Sequence, residues 1–273
     1  MRDFPGKASI VGNGIRALRR CLPRQDLTFY LGLQGGLGNQ LFQIAGTYAL
    51  ASELGVGVVF AKSWPYRPYF SLPDEWFAGR LAVLRSRKAA DHATAIPAEL
   101  RGYFQDLALW NGREEEIRRL LQPSERALET ARGRHGELLA LPSKTAVHVR
   151  RGDYLGPEMD LQPCPVAYYE AAAELVLAES PDTHFLVFSD DLEWCRRELS
   201  LPGATFVEGN PDWLDLTLMT CCEHHICANS TFSWWGAFLS ADPRPIVPWL
   251  VGTVPEELRR IHPAHWRELV LDP

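Results

Sequence analysis

The chain has 273 residues, 46% of them hydrophobic and 23% charged, and a formal net charge of −6 at pH 7. This is enough chain for one large or two compact globular domains. The acidic balance excludes a broad nucleic-acid-binding face but leaves room for a local basic site holding a small anion, and no apolar run approaches the roughly 18 residues that span a bilayer.

Residues 1–26 read as a leader, without the apolar stretch of a signal peptide. Within 11–24, Arg16, Arg19, Arg20 and Arg24 stand among Ile15, Leu18, Cys21 and Leu22. Two readings stay open there: a loose terminus, or a short basic amphipathic helix on the inner membrane surface. The six cysteines (Cys21, Cys164, Cys195, Cys221, Cys222, Cys227) form no disulfide framework in a chain this long. Reduced thiols fit a cytoplasmic protein, peripheral to the membrane if the leader binds it.

An N-terminal Rossmann-like half is expected over 27–141. Residues 27–33 read as a buried strand, 35–38 as a glycine loop, and 39–54 as a helix with Leu41, Ile44, Ala45, Tyr48 and Ala49 on one face. A second strand follows at 56–61. Residues 62–80 carry Trp64, Tyr66, Tyr69, Phe70, Trp76 and Phe77 among prolines. They read as a loop region whose rings either pack beneath it or line a sugar site. Arg101–Gln105 is expected as the last strand of this half, and 112–121 and 123–140 as helices.

The C-terminal half, 142–273, alternates strands at 145–149, 184–189, 205–208, 224–228 and 245–249 with helices at 166–179, 191–199, 212–222 and from about Ser233. Such alternation implies an α/β protein with parallel sheets.

Three segments carry the chemistry. Thr145-Ala-Val-His-Val-Arg-Arg-Gly-Asp-Tyr154 runs a strand into two arginines. Ligands of open α/β sheets sit beyond the carboxyl ends of strands, and guanidinium forks there suit a diphosphate. An ion-paired surface turn is the plainer alternative. His148 is either a donor contact or a core histidine, and Asp153 is placed to clamp a guanidinium. Asn229-Ser-Thr-Phe-Ser-Trp-Trp235 leaves a strand and opens a helix. Its backbone N–H groups, with Asn229, Ser230, Thr231, Phe232 and Ser233, form a candidate second half of a pyrophosphate cradle; a plain helix cap is the alternative. Gln34-Gly-Gly-Leu-Gly-Asn-Gln-Leu-Phe-Gln43 lacks both the dinucleotide fingerprint and the P-loop spacing. Cys221-Cys-Glu-His-His-Ile-Cys227 lacks the two separated ligand doublets of a closed zinc site. No DxD motif stands in a metal-binding place, so no metal site is expected.

In order, GGLGNQ-F-Q, H-V-RR-G-DY and NST-F-SWW resemble the α-1,2-fucosyltransferases of glycosyltransferase family 11, over roughly residues 30–250. The resemblance implies a GT-B-like fold of two Rossmann-like halves facing a cleft, with the acceptor on the first half and GDP-fucose on the second. It implies catalysis by arginine without metal or cofactor, Arg150 and Arg151 being the candidates, with the strand register favouring Arg151 for the β-phosphate. By resemblance, Gly36, Gly38, Asn39 and Gln40 approach the fucose and phosphates, with Asn39 near the reacting oxygen. Asp190 orients the nucleotide or caps a helix, and Asp215 reads the guanine edge. Soluble members of this family look bacterial. The expected reaction is inverting transfer of L-fucose to the 2-hydroxyl of a terminal β-galactoside in a bacterial surface glycan, such as an O-antigen. The partners are then GDP-fucose and a galactoside-terminated acceptor, with no nucleic acid. The alternatives are another linkage or GDP-sugar on this scaffold, or a silent glycan- or nucleotide-binding protein.

Overall fold

The computed structural model describes residues 27–77, 96–156, 162–249 and 261–270. The expected leader at 1–26 lies outside the described residues. The chain divides into two compact units. Within the described set, unit 1 takes residues 27–67, 71–121 and Ile261, and unit 2 takes 68–70, 122–249 and 262–270. The division thus falls at 121/122 and not at the expected 141/142. The cause is the helix Glu125–Leu139, which turns Ala127 and Ala131 inward. Ala131 joins Leu214 and Leu218 in the core of unit 2, with Leu138 and Leu139 packed against it.

Unit 1 begins with β1 (Leu27–Tyr30), whose Phe29 and Tyr30 are buried. The helix α1 (Leu37–Leu54) follows. It is buried on most sides: Phe42, Gln43, Gly46, Thr47, Leu50 and Ala51 are buried as well as Leu41, Ile44, Ala45 and Ala49 of the expected apolar face, as in a helix enclosed by the core. Gly36 caps its start, and Gly55, at φ 67°, ends it in the left-handed conformation. β2 (Gly57–Val59) and β3 (Ile96–Glu99) pair in parallel on either side of β1. The sheet order is β2-β1-β3.

The expected strand at 101–105 does not form. The strand lies just before it, at β3, and the stretch after β3 turns instead: Gly102 has φ 138° and Phe104 φ 55°. Pro97 obscures β3 in the sequence, but an edge strand tolerates a residue that cannot donate to the ladder. Of the six rings expected to pack or to line a site, Trp64, Phe70 and Phe77 are buried, whereas Tyr66, Tyr69 and Trp76 are half-buried. Trp64 stacks on Phe77 at 5.7 Å between centroids.

Unit 2 contains a six-stranded sheet of order β6-β5-β4-β7-β8-β9. Its strands are β4 (Lys144–Val149), β5 (His184–Ser189), β6 (Thr205–Phe206), β7 (His224–Ile226), β8 (Arg244–Trp249) and β9 (Arg267–Val270). All neighbours run parallel. β9 was not expected from the sequence: its alternating charges resemble a loop, and it pairs only at the edge.

Both faces of this sheet are covered. β4 is buried at every position, as a central parallel strand must be. On one face Val147, Val149, Phe185, Val187 and Ile226 pack with Tyr168, Tyr169 and Val176 of the helix Val166–Glu179, here α4. On the other, Ala146, Leu186 and Phe188 pack with Leu214, Leu218 and Met219 of the helix Asp212–Thr220, here α6. Burying each such side chain contributes about 1.5–3 kcal/mol. The remaining helices are α2 (Glu114–Leu120), α3 (Glu125–Leu139), α5 (Leu192–Glu198) and α7 (Thr231–Phe238). Strand order and helix placement are those of a doubly wound nucleotide-binding sheet, which has its ligand crevice where the strand order reverses. In unit 2 that point lies beyond the carboxyl ends of β4 and β7. In unit 1 it lies beyond β1 and β3.

Candidate active site

At the switch point of unit 2, β4 ends in Arg150-Arg151-Gly152 and β7 leads into Asn229-Ser230. The turn after β4 is built around Asp190, at the end of the neighbouring β5. One Asp190 oxygen accepts from the Arg151 backbone N–H at 3.0 Å, the other from that of Gly152 at 3.1 Å. The carboxylate also pairs with Arg150 Nη1 at 2.9 Å. A side chain at Gly152 would meet Asp190 Oδ2 at 2.7 Å, so glycine there lets the carboxylate keep its place in the turn. Asp190 is therefore the hub of the turn. The helix cap is its neighbour: Asp191 accepts from the Trp194 N–H and starts α5.

The two arginines are held differently. Arg150 is 36% exposed and divided between Asp190 and Asp153, whose Oδ1 lies 2.8 Å from Nη2. Arg151 is 17% exposed, pairs with Asp191 at 3.3 Å and lies over the Trp194 ring at 3.9 Å. A guanidinium stacked on indole and ion-paired at its edge is fixed from two sides. Arg151 thus pins the end of β4 to α5, while Arg150 presents the more accessible fork.

The segment after β7 is tied to the same turn by Tyr154, whose hydroxyl donates to the Asn229 carbonyl at 3.0 Å. Burial pushes that phenol up to about 12, so it remains a donor at neutral pH. Ser230 caps α7 by accepting from the Phe232 N–H. His148 sits on the face of β4 toward α6, 5.4 Å from the Phe232 ring. It is 5% exposed, and burial lowers its pKa to about 4, keeping the imidazole neutral. Its Nδ1 meets no hydrogen-bond partner among the described residues. On α6, Asp215 accepts from Asn210 Nδ2 at 3.0 Å, and Asn210 Oδ1 meets His135 Nε2 at 2.9 Å. Burial raises the Asp215 carboxyl to about 6.

Residues 74–245, more than half of the chain, match the family model for glycosyl transferase family 11. The chain belongs to glycosyltransferase family 11. Its relatives include an α-1,2-colitosyltransferase of Escherichia coli, 27% identical over 250 residues that cover 76% of this chain and 86% of the relative. The O-antigen biosynthesis glycosyltransferase WbnK of Escherichia coli is 32% identical over 155 residues, 53% of this chain and 51% of WbnK. Galactoside α-(1,2)-fucosyltransferase 2 of Oryctolagus cuniculus is 27% identical over 249 residues, 80% of this chain and 68% of the relative. Among solved structures, fucosyltransferase NodZ from Bradyrhizobium superposes with a TM-score of 0.54 at 14% identity, covering 84% of this chain and 96% of NodZ. The fold is thus GT-B-like and α/β.

In this family 11 glycosyltransferase, several residues expected to touch a donor are engaged in holding the loops. Ser233 is fully buried, and its hydroxyl lies 3.3 Å from the Ala228 carbonyl and 3.1 Å from that of Ser230. It braces the turn. The Asn229 side chain donates to the Gln162 carbonyl at 2.8 Å and lies near Cys164 Sγ, fastening residues 162–164. Trp234 and Trp235 are core residues. In unit 1, Gln40 spends both ends of its amide, donating to the Gly35 carbonyl at 2.6 Å and accepting from Trp64 Nε1 at 2.7 Å. Gln43 accepts from the Gln34 N–H at 2.9 Å. Gly38 is buried within the first turn of α1, and a side chain on Gly36 would meet nothing within 4 Å. Asn39 accepts from Gln105 Nε2 at 2.9 Å.

Trp194, Tyr154, Asn210, His135 and Gln105 were not singled out as site residues from the sequence. Only Tyr154 carried a signal, as the last letter of H-x-RR-x-DY. Among the described residues, no three His, Cys, Asp or Glu side chains converge as metal ligands. Of the Cys221–Cys227 tract, His224, His225 and Cys227 are buried. His225 Nε2 lies 2.9 Å from the Met219 carbonyl. No helix among the described residues is long and apolar enough to cross a membrane.

Proposed function

We propose that the chain transfers L-fucose from GDP-fucose, with inversion, to the 2-hydroxyl of a terminal β-galactoside in a bacterial glycan such as an O-antigen. The observation that carries this reading is the union, at one switch point, of the Arg150–Arg151 turn with the start of α7. Guanidinium groups and backbone N–H donors there suit a diphosphate. The names of the family 11 relatives supply the sugar class.

In this reading the acceptor oxygen bonds to the anomeric carbon as the bond to the β-phosphate breaks. Charge builds on the departing GDP, and preorganised donors aimed at that charge are the largest lever. Arg150 meets the β-phosphate, while Arg151 positions it by fixing the turn. The named ionic groups, two arginines against Asp153, Asp190 and Asp191, sum to −1. Net charge therefore does not attract the diphosphate; directed donors do. Arg150 remains on Asp190 and exchanges Asp153 for phosphate. Ser230, Thr231 and the backbone of α7 take the remaining phosphate oxygens. His148 and Asp215 read guanine from the α6 face, where a carboxylate accepts from the N1 and N2 donors. Asn39, oriented by Gln105, touches the reacting sugar. No protein base is assigned; the acceptor proton leaves to solvent or to the departing phosphate.

Thermal shifts with GDP, ADP and UDP at equal concentration, without metal, test the guanine site. GDP alone should stabilise, by about 2.7 kcal/mol at a hundredfold excess over its Kd. UDP should be far weaker, since the wrong base leaves buried polar groups unpaired. Equal shifts for all three, or none, would remove the guanine-specific site. Transfer in EDTA should persist, because directed guanidinium and backbone donors hold the diphosphate in place of a metal; loss restored by magnesium or manganese would overturn that mechanism.

A second reading concerns the sugar. One relative is named a colitosyltransferase, and colitose is fucose without its 3-hydroxyl. A site that hydrogen-bonds that hydroxyl discriminates strongly against the sugar lacking it. Parallel assays with GDP-fucose and GDP-colitose, followed by linkage analysis, distinguish the two.

A further inference from the structure

Unit 1 has a switch point of its own, and its contents carry an inference. β1 runs into the glycine loop and β3 into residues 100–106. Because β1 and β3 are parallel neighbours, both loops emerge at the same sheet edge. The Leu100 N–H bonds to the Tyr30 carbonyl at 2.9 Å just before they diverge. The second loop is held rigidly. Phe104 is 7% exposed and lies so close to α1 that a side chain on Gly46 would come within 2.4 Å of its Cβ. Asp106 donates its N–H to the Phe104 carbonyl and caps the short turn Leu107–Trp110.

Between the left-handed Gly102 and Phe104, Tyr103 is turned outward. It is 46% exposed, one of three large hydrophobic residues so exposed among the described residues. Leu155 lies in the turn after β4 in unit 2 and Val270 at the end of the edge strand β9, so Tyr103 is the one of the three that stands at the switch point of unit 1. Its ring lies above the glycine loop: a side chain on Gly35 would meet Tyr103 Cε1 at 3.5 Å and Asn39 Nδ2 at 2.9 Å. Next in sequence, Gln105 donates to Asn39, and among the described residues no donor reaches the Gln105 carbonyl.

We propose that Tyr103 and Gln105 form the binding subsite for the acceptor pyranose, Tyr103 as a stacking platform and Gln105 as a hydroxyl ligand. An aromatic face is apolar and electron-rich. A β-galactoside offers it one face of polarised C–H groups, and offers hydroxyls to an ordered amide at the ring's edge. The glycine loop beneath the ring, Gly35-Gly-Leu-Gly38, carries no charge, which suits a neutral sugar. Phe104, at φ 55°, holds a conformation rare for a residue with a side chain, and such conformations cluster at loops that hold ligands. The inference deepens the fucosyl-transfer reading and rests on it for the identity of the ligand as an acceptor.

The test uses the full chain with Tyr103→Ala and Tyr103→Trp. GDP binding is followed by thermal shift. Binding of methyl β-galactoside is followed by saturation-transfer NMR, and transfer is measured as a function of acceptor concentration. Tyr103→Ala should raise the acceptor KM by about two- to tenfold, the factor expected for one lost aromatic contact. It should also abolish saturation of the galactose ring protons while leaving the GDP shift unchanged. Tyr103→Trp should restore acceptor binding. An unchanged acceptor KM in Tyr103→Ala would overturn the subsite. So would joint loss of GDP and galactoside binding in both variants, which would mark Tyr103 as structural. If the wild type shows no GDP shift, the donor reading fails separately, and the NMR signal still decides whether Tyr103 holds a galactoside.

Discussion

At the scale of single residues, the adjacent arginines are not equivalent. Arg150 is the exposed fork; Arg151 lies between Trp194 and Asp191. Arg150→Ala should lower transfer by about 10²–10³-fold, the usual cost of one preorganised donor to a developing oxyanion. Arg151→Ala should act through the turn, lowering both activity and melting temperature. Trp194→Ala should reproduce it, and the double variant should be little worse than either single one, because both remove the same contact. Additive losses in that cycle, or inactivation by Arg151→Ala with an unchanged melting temperature, would return Arg151 to the phosphate. The carboxylates should separate as well. Asp190→Asn should weaken GDP binding by loosening the hub of the turn, whereas Asp153→Asn should preserve or improve it, since Arg150 loses a competitor for phosphate. Weaker GDP binding in Asp153→Asn than in Asp190→Asn would reverse their roles. Little of this was legible in the sequence: the motif marks both arginines, but which one faces outward is set by Trp194 on a different element.

At the scale of elements, Gly46→Ala tests how the Tyr103 loop is held. The added methyl would collide with Phe104, and overpacking of this kind costs about 1–3 kcal/mol. The melting temperature should fall by about 2–4 °C for each kcal/mol lost, and the acceptor KM should rise as the loop lifts. A stable protein with an unaltered KM would show that the loop is not seated through Phe104. Local patterning was a good guide where an element is self-contained. α4 was read to its ends because Pro165 precedes it and its apolar residues recur at helical spacing, and β5 because a run of buried residues ends in Ser-Asp-Asp. The reading failed where the tertiary setting decides. β3 contains a proline that only an edge position excuses. The adjoining Arg-Gly-Tyr-Phe-Gln looks extended and apolar, yet it is bent by Gly102 and Phe104. Strand order, and with it both switch points, comes from pairings between distant segments that periodicity does not encode.

For the whole molecule, buried titratable groups predict the response to pH. His148, His225 and His262 are lowered by burial to about 4 from an ordinary 6.5. Unfolded chains bind these protons first, so stability should fall as pH drops from about 6.5 toward 4. Asp215 works in the opposite sense. Its carboxyl, raised to about 6, takes up a proton in the folded state before the unfolded one does. It contributes stability below its unfolded pKa that is lost as pH rises toward 6, so it offsets part of the histidine loss. Melting temperatures between pH 7.5 and 4.5 should decline on the acid side, and more steeply in Asp215→Asn. A slope identical to the wild type would show that Asp215 titrates normally.

Residues 68–70 belong to unit 2, although the chain on either side of them belongs to unit 1. Tyr69 stacks on Trp213 at 3.7 Å, the Arg126 guanidinium lies 5.6 Å from the centroid of the Tyr69 ring, and Ser124 bonds to the Tyr69 and Pro68 carbonyls. This three-residue strap governs how the protein can be recombined. A chimera that takes unit 1 from a relative cannot be made with one crossover at 121/122. Unit 2 would inherit a foreign strap against its own Trp213. Grafts of unit 1 should succeed only when residues 68–70 stay with unit 2, as a short native island inside the transplanted sequence.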